Sequence, residues 1–408
     1  MANIKPFCSV RPNESLAREI AALPYDVYNR EEAKQVVEKN PKSFLKIDRA
    51  ETQFDDDFDM YSEEVYQKAH DTLAEMIDDG EFVKDEKPCF YVYELIMNGR
   101  SQTGIVGCAS VDDYLNNVIM KHENTREDKE LDRIHHVDTC NAQTGPIFLT
   151  YRANEKINHI VTDKKQEKAL YDFVAEDGVS HRVWRIDAVE EVEKIAELFA
   201  AIPHIYIADG HHRAASAVKV GLKRRNENPN YTGREEFNYF LSVLFPDEEL
   251  MVMDYNRVVK DLNGYTKETF LEELEKDFVI CPKGETPYSP KAKGEMGMFL
   301  GKQWYSLTFK GKVSENPVES LDVSILQNKV LEPLLAIEDP KTDKRIKFIG
   351  GIRGLKALEE QTKEGVAFSM YPTSMRELFA VSDAGLLMPP KSTWFEPKLR
   401  SGLFIHQI

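Results

Sequence analysis

The middle of the chain contains a short apolar segment that changes abruptly into an alanine-rich one. Residues 204–208 are mostly β-branched or aromatic, which predicts a buried strand, and residues 214–219 predict a helix. Gly210 lies between them, where a residue without a side chain permits a sharp turn and lets a ligand approach the backbone. We therefore expect a mixed α/β or α+β architecture with this turn near the middle of the chain.

The turn carries polar residues to the predicted start of the helix. Asp209 is placed to cap the first helical amides, and His211, His212 and Arg213 follow the glycine directly. Free N–H groups and the positive end of the helix dipole favour an anion there, so the segment is predicted to bind phosphate. The alternative is an ordinary turn with two surface histidines, because Asp-Gly turns before helices are common.

Other common site types are disfavoured at this turn. Adjacent helix positions point in different directions, and the chain has neither HExxH nor CxxC, which argues against zinc. It also contains neither GxxxxGK[ST] nor GxGxxG, so an ordinary nucleotide P-loop is disfavoured.

Length and composition limit the class of protein. A chain of 408 residues is long enough for two or three domains, and we divide it into a phosphate-binding domain, residues 1–250, and a C-terminal α/β domain, residues 251–408. A net charge of −17 would repel nucleic acid. With no N-terminal apolar core and no apolar run of about eighteen residues, we expect a cytoplasmic protein without a membrane partner. The five scattered cysteines are expected to be reduced and mostly buried.

Three further stretches carry groups suited to phosphate chemistry. Asp26 follows Pro24 in a turn that can aim its carboxylate, although such an aspartate can also simply satisfy its own backbone. The stretch 121–133 offers acceptors for a metal and donors for a phosphate, or else it is an exposed helix with ion pairs. The proline-rich segment 387–403 is predicted to be a loop that closes over an anion, with a polar surface loop as the alternative.

Seven motifs spread over most of the chain point to one family. They are Pro24-Tyr25-Asp26-Val27, His122-Glu123, residues 129–133, 180–185, 208–213 and 257–259, and residues 388–402. Together they resemble the bacterial and archaeal family called domain of unknown function 1015. One departure is Tyr255-Asn256-Arg257, where family members often have Tyr-His-Arg. The resemblance implies a more distant likeness to the ParB and sulfiredoxin superfamily, with its phosphate-binding core, and to free L-serine kinases that use pyrophosphate or a nucleotide.

The resemblance and the residue chemistry both indicate phosphoryl transfer, which needs charge neutralisation, a divalent metal and a base near the acceptor hydroxyl. We therefore expect a free L-serine kinase that makes O-phosphoserine from pyrophosphate, ATP or ADP. Asp209, Asp26 and His211 are the predicted catalytic residues, and Glu123 is the predicted Mg²⁺ ligand. The predicted phosphate- and substrate-binding residues are Gly210, His212, Arg213, Lys129, Arg133, Lys391, Ser392, Thr393, Lys398 and Arg400.

Two other functions remain open at this point. A regulatory module of the ParB-like superfamily would bind a nucleotide without phosphorylating serine. A phosphomonoester hydrolase would use the same cations and carboxylates to release phosphate from phosphoserine. The sequence leaves a homo-oligomer possible.

Overall fold

A computed structural model of the chain describes residues 1–125 and 127–408, except for the side chains of Asp128 and Lys129. The chain divides into two compact units. Unit 1 comprises Met1–Lys121, Thr125–Leu250 and Pro397–Ile408, and unit 2 comprises His122–Asn124 and Met251–Glu396. Each unit contains helices and sheets, which confirms the predicted mixed α/β class. Pro397–Ile408, which lies within the predicted C-terminal domain 251–408, clusters with unit 1.

Unit 1 is built on a nine-stranded mixed sheet that is apolar on both faces. Consecutive residues of its strands are fully buried, as expected of a sheet covered on both sides. Two short strand pairs accompany it, Val10–Pro12 with Phe82–Lys84 and Ala142–Gln143 with His406–Gln407. Across the large sheet the strands are Ile119–Met120, Ile205–Asp209, Ile147–Tyr151, Tyr239–Pro246, Arg100–Ser110, Phe90–Met97, Ser180–Ile186 and Tyr171–Val174, with Ile4–Lys5 beside Arg100–Ser110.

Helices of unit 1 present apolar stripes to two core clusters. In Glu63–Asp78 the buried positions Val65, Ala69, Leu73 and Met76 recur at helical spacing, as the sequence predicts. The helices are Ala17–Ile20, Arg30–Lys39, Leu45–Asp48, Glu63–Asp78, Val111–Leu115, Glu127–Cys140, Glu155–Lys164, Val189–Ala200 and His211–Glu227, with short 3₁₀ turns at Glu14–Leu16, Tyr25–Val27, Ala50–Gln53, Glu236–Asn238 and Asp247–Glu249.

One local prediction in unit 1 is wrong. The apparent alternation of residues 43–49 predicts a strand, but Leu45–Asp48 is a helical turn. Leu45, Ile47 and Asp48 are all buried there, so the segment has no exposed face to alternate with. Short apolar runs carry too few residues for their period to separate strand from helix.

Unit 2 contains a six-stranded antiparallel sheet and a separate strand pair, Val252–Met253 with Trp394–Phe395. Across the sheet the strands are Phe278–Gly284, Gln303–Phe309, Glu295–Leu300, Val366–Ser369, Tyr255–Val259 and Ile346–Gly350. The helical segments are Lys267–Leu274, Asp322–Leu326 with a π-helical continuation at Gln327–Leu331, the 3₁₀ turn Gly351–Arg353, Gly354–Gln361 and Met375–Asp383.

Two general features bear on the sequence-based expectations. All five cysteines are free thiols, of which Cys89, Cys108 and Cys140 are buried. Among the helices of the described residues, none has both the length and the apolar character needed to cross a bilayer.

Candidate functional site

The predicted strand, turn and helix are present in unit 1. The strand Ile205–Asp209 ends at Gly210, and the helix His211–Glu227 begins immediately after it. Gly210 has a φ of +91°, a left-handed conformation in which other residues are strained. A methyl carbon there would also lie 3.1 Å from the Nε of Arg213. Glycine therefore allows both the turn and the close approach of the arginine to the backbone.

Asp209 binds the turn and a lysine, and not the helical amides that it was predicted to cap. Its Oδ1 accepts the N–H of Gly210 at 2.8 Å, and its Oδ2 accepts the Nζ of Lys398 at 3.0 Å. Burial alone would raise the pKa of Asp209, but Lys398, Arg213 and the Gly210 N–H together hold that pKa well below its usual value. Asp209 is therefore ionised at neutral pH and is a weak base.

Arg213, in the first turn of the helix, is anchored by the backbone and not by an acid. Its Nη1 donates to the carbonyl of Pro146 at 2.6 Å. No carboxylate among the described residues lies within ion-pair distance of its guanidinium. The remaining donors of this planar group are suited to a carboxylate or a phosphate.

Arg213 lines a pocket that lies wholly within unit 1. The pocket has an empty volume of about 470 Å³, which includes the solvent at its mouth. The helix at Arg213, the helix Glu127–Cys140 and the turn before the strand Ile147–Tyr151 form its walls. Its lining residues are Pro24, Tyr25, Asp48, Arg133, His136, Val137, Gln143, Thr144, Gly145, Ile147, Arg213, Ala217, Leu241 and Ser401.

Asp48 supplies the carboxylate of this pocket and was not predicted from the sequence. It is only 3% exposed, and its Oδ1 accepts the hydroxyl of Thr144 at 2.7 Å. Among the described residues, no side chain or backbone group hydrogen-bonds its Oδ2 or the hydroxyls of Tyr25 and Ser401. Burial raises the pKa of Tyr25 to about 12, so its hydroxyl stays protonated.

Arg133, a predicted substrate-binding residue, lies in the wall of the same pocket. Its guanidinium stacks 4.0 Å from the ring centre of Tyr25 and pairs with Asp132 at 3.0 Å. Its Nη1 donates to the backbone oxygen of Asp48 at 3.4 Å. Beside it, the Nε2 of His136 donates to the carbonyl of Ile47 at 3.0 Å. Burial, with the nearby Arg133, lowers the pKa of His136, so the imidazole is neutral.

The model of the protein family DUF1015, described as "Protein of unknown function", matches residues 4–324, which is most of the chain. The chain belongs to the DUF1015 family. This confirms the family resemblance of its motifs, while the likeness to the ParB and sulfiredoxin superfamily remains a prediction. A comparison with curated protein sequences found no match.

Solved structures resemble this DUF1015 protein only distantly. C-terminally truncated SbnI from Staphylococcus aureus is 12% identical with a TM-score of 0.39, covering 71% of this chain and 82% of its own. A free serine kinase in complex with AMP is 15% identical with a TM-score of 0.36, covering 77% and 92%. A conserved hypothetical protein from Pyrococcus furiosus is 13% identical with a TM-score of 0.36, covering 74% and 94%. TM-scores this low carry no conclusion about activity.

Arg400, another predicted phosphate ligand, is held by protein groups of unit 1. It is 3% exposed, and its Nη2 donates to Asp177 at 2.5 Å. Its Nε donates to the Nε2 of His181 at 3.2 Å, and the Nδ1 of that histidine bonds the hydroxyl of Tyr93 at 2.8 Å. Burial, together with Arg400, holds the pKa of His181 well below its usual value. Arg400 thus anchors the C-terminal segment of unit 1.

The other predicted residues of unit 1 lie at or near the turn. Asp26 is exposed on the 3₁₀ turn Tyr25–Val27, next to a pocket residue. His211 is buried and His212 half-buried in the first turn of the helix. The side chain of Lys129 lies outside the described part of the structure.

Four predicted residues belong to unit 2. Ser392 donates to the carbonyl of Pro389 at 2.6 Å, and Thr393 lies 3.5 Å from His122. The carbonyl of Lys391 accepts Arg257 at 3.0 Å. Glu123 is also in this unit, and its role as a metal ligand stays a prediction. An Mg²⁺ ion would prefer carboxylate oxygens, and the exposed Asp26 beside the pocket carries such a group.

Proposed function

We propose that this protein is a phosphotransferase, and specifically a free L-serine kinase that forms O-phosphoserine with Mg²⁺ from pyrophosphate, ATP or ADP. The observation that carries the proposal is Arg213. It lies at the N-terminal turn of a 17-residue helix, and no acid among the described residues pairs with it. A helix N-terminus and a guanidinium together favour an anion.

The charges around the turn fit a phosphoryl group better than they fit a neutral ligand. Lys398 is fixed by Asp209 at 3.0 Å, so its ammonium is held close to the turn without ordering cost on binding. Phosphoryl transfer depends mainly on positioning and on neutralising the charge of the transferred group. A compact donor such as pyrophosphate suits a chain that lacks a nucleotide P-loop motif.

Asp26 is the better of the two proposed bases. Asp209 is a weak base, because its pKa lies well below the usual value and because Lys398 occupies one of its oxygens. In the proposal Asp209 therefore orients Lys398, and Asp26 takes the proton of the serine hydroxyl. His211 and His212 remain proposed donors to the phosphate from the first helical turn.

The metal and the outer cations complete the proposal. Mg²⁺ would neutralise the donor phosphates, and Glu123 is its proposed ligand. Arg133 would contribute positive charge from the pocket wall. Lys129, Lys391, Ser392 and Thr393 keep their proposed roles in binding donor or substrate. Arg400, which Asp177 and His181 hold, instead positions the C-terminal segment that carries Lys398.

Phosphorus NMR tests this function directly. The purified protein is given Mg²⁺ and L-serine, with pyrophosphate, ATP or ADP in turn, beside Arg213→Ala and the exposed-arginine control Arg18→Ala. We expect a phosphoserine resonance with one donor, lowered about a hundredfold or more in Arg213→Ala and unchanged in Arg18→Ala. The absence of phosphoserine with every donor would refute the kinase.

The same samples separate the two rival functions. A regulatory module would bind ADP or AMP in calorimetry without forming phosphoserine. A phosphomonoester hydrolase would release inorganic phosphate from added phosphoserine in the absence of any donor.

A further inference from the structure

The pocket of unit 1 carries charges of both signs. Among its described lining residues, Asp48 is the single carboxylate, while Arg133 and Arg213 are guanidinium groups. Arg133 is already paired with Asp132, whereas Arg213 has no acidic partner among the described residues. The two groups left to recognise a charged ligand are therefore one anion and one cation.

Asp48 is held so that one of its oxygens is available to a ligand. It is 3% exposed, and the Thr144 hydroxyl fixes its Oδ1 at 2.7 Å. Its Oδ2 accepts no hydrogen bond from the described residues, and the residue lines the pocket. A carboxylate in so enclosed a site is stabilised by a group of opposite charge, so we expect its partner to be a cationic donor on the ligand.

We infer that this pocket binds the phosphoryl acceptor as a zwitterionic α-amino acid, with its ammonium on the Oδ2 of Asp48 and its acid group facing Arg213. The inference rests on the proposed phosphotransferase function and assigns the residue that selects amino acids over other hydroxy compounds. Asp48 is thus a binding and specificity residue that the motifs did not identify.

The same carboxylate is a poor site for a divalent metal ion. Mg²⁺ prefers several oxygen ligands, and here one carboxylate shares a pocket with two guanidinium groups. A zwitterion instead brings a positive group to the acid and a negative group to the arginine. The hydroxyls of Tyr25 and Ser401 also line the pocket and have no partner among the described residues. They can hydrogen-bond a short, polar side chain of the bound amino acid.

The test compares ligands that differ in a single charged group. Isothermal calorimetry measures binding of L-serine, of glycerate, which replaces the ammonium by a hydroxyl, and of ethanolamine, which lacks the carboxylate. The variant Asp48→Asn keeps an oxygen that accepts the Thr144 hydroxyl but loses the charge. The matched control Asp113→Asn removes another buried carboxylate of unit 1, which accepts the N–H of Asn3 and does not line the pocket.

We expect wild type and Asp113→Asn to prefer L-serine over glycerate by about tenfold to a hundredfold, because hydrogen bonds to charged groups contribute on this scale. Asp48→Asn should abolish that preference, and loss of the carboxylate in ethanolamine should weaken binding in every variant. If Asp48→Asn does not fold, Thr144→Val, which keeps the charge but frees the carboxylate, should reduce the preference.

Three results would overturn the inference. The wild-type protein could bind neither L-serine nor glycerate, or both equally. The preference for L-serine could survive in Asp48→Asn, or Asp48→Asn could change only the Mg²⁺ concentration dependence and leave that preference intact. These outcomes are separable from failure of the kinase. Serine binding that depends on Asp48 without phosphoserine formation would uphold the inference alone, and phosphoserine formation without that dependence would uphold the kinase alone.

Discussion

Asp322, in unit 2, makes the stability of the protein depend on pH. It is 7% exposed at the start of the helix Asp322–Leu326, and its two oxygens accept the N–H of Gly294 at 2.9 and 3.1 Å. The nearby Lys293 is paired with Glu377 at 2.6 Å. Burial, with a smaller contribution from Glu377, raises the pKa of Asp322 from 3.8 to about 6.

The sign of the effect follows from this upward shift. Between about pH 4 and pH 6 the folded protein binds the proton more tightly than the unfolded chain does, so stability falls as pH rises through this window. A shift of about two pH units corresponds to roughly 3 kcal/mol of stability lost above pH 7. Asp322→Asn stays neutral and keeps an acceptor for Gly294, so it should avoid this loss.

Thermal unfolding, followed by tryptophan fluorescence, provides the assay, since Trp304 is buried in the same unit. Near pH 3 wild type and Asp322→Asn should differ little. As the pH rises through 6, the melting temperature of Asp322→Asn should increasingly exceed that of wild type. Above pH 7 the difference should stay constant at several degrees. The exposed Glu315→Gln is the control and should give a difference that does not change with pH. A flat difference for Asp322→Asn as well would refute a raised pKa.

Three further predictions concern the turn and the metal. Gly210→Ala should lose about 1–2 kcal/mol of stability in urea unfolding and should also bind pyrophosphate more weakly. Gly80 has a left-handed backbone as well but lies in open space, so Gly80→Ala should lower the stability alone. Lys398→Met should weaken pyrophosphate binding, because it removes the ammonium that Asp209 holds near the turn, and it should raise the pKa of Asp209; an unchanged pyrophosphate affinity in calorimetry would mean that Lys398 does not bind the donor. Removing metal with EDTA should stop phosphoserine formation, and Mg²⁺ alone should restore it; activity that persists in EDTA would contradict a metal-dependent transfer.

The strand, turn and helix around Gly210 could be predicted because their determinants are local. β-branched residues, a glycine and an alanine-rich run each act on their own part of the backbone, and the structure confirms the order. The predicted strand at residues 43–49 failed because burial of successive residues there is set by packing against other helices, which local alternation does not encode.

The candidate site was predictable only in part. Arg213, Asp209 and Lys398 stand in recognisable polar motifs, and the structure brings them together within unit 1. Asp48 has no motif of its own, and its partner Thr144 is 96 positions away. Such a pair exists only after the chain has folded, so neither spacing nor composition could identify it.

Unit 1 can be completed only after the C-terminal segment of the chain has been synthesised. Pro397–Ile408 belongs to this unit, where His406–Gln407 pairs with Ala142–Gln143 and Ser401 bridges Ala22. During translation the ribosome must therefore synthesise most of unit 2 between Leu250 and Pro397, which takes roughly 7–30 s at ordinary elongation rates. Until Lys398 emerges, Asp209 is a half-buried acid without its lysine. A nascent or prematurely terminated chain would thus leave unit 1 open and exposed to chaperones and proteases, and the binding site would form only near the end of synthesis.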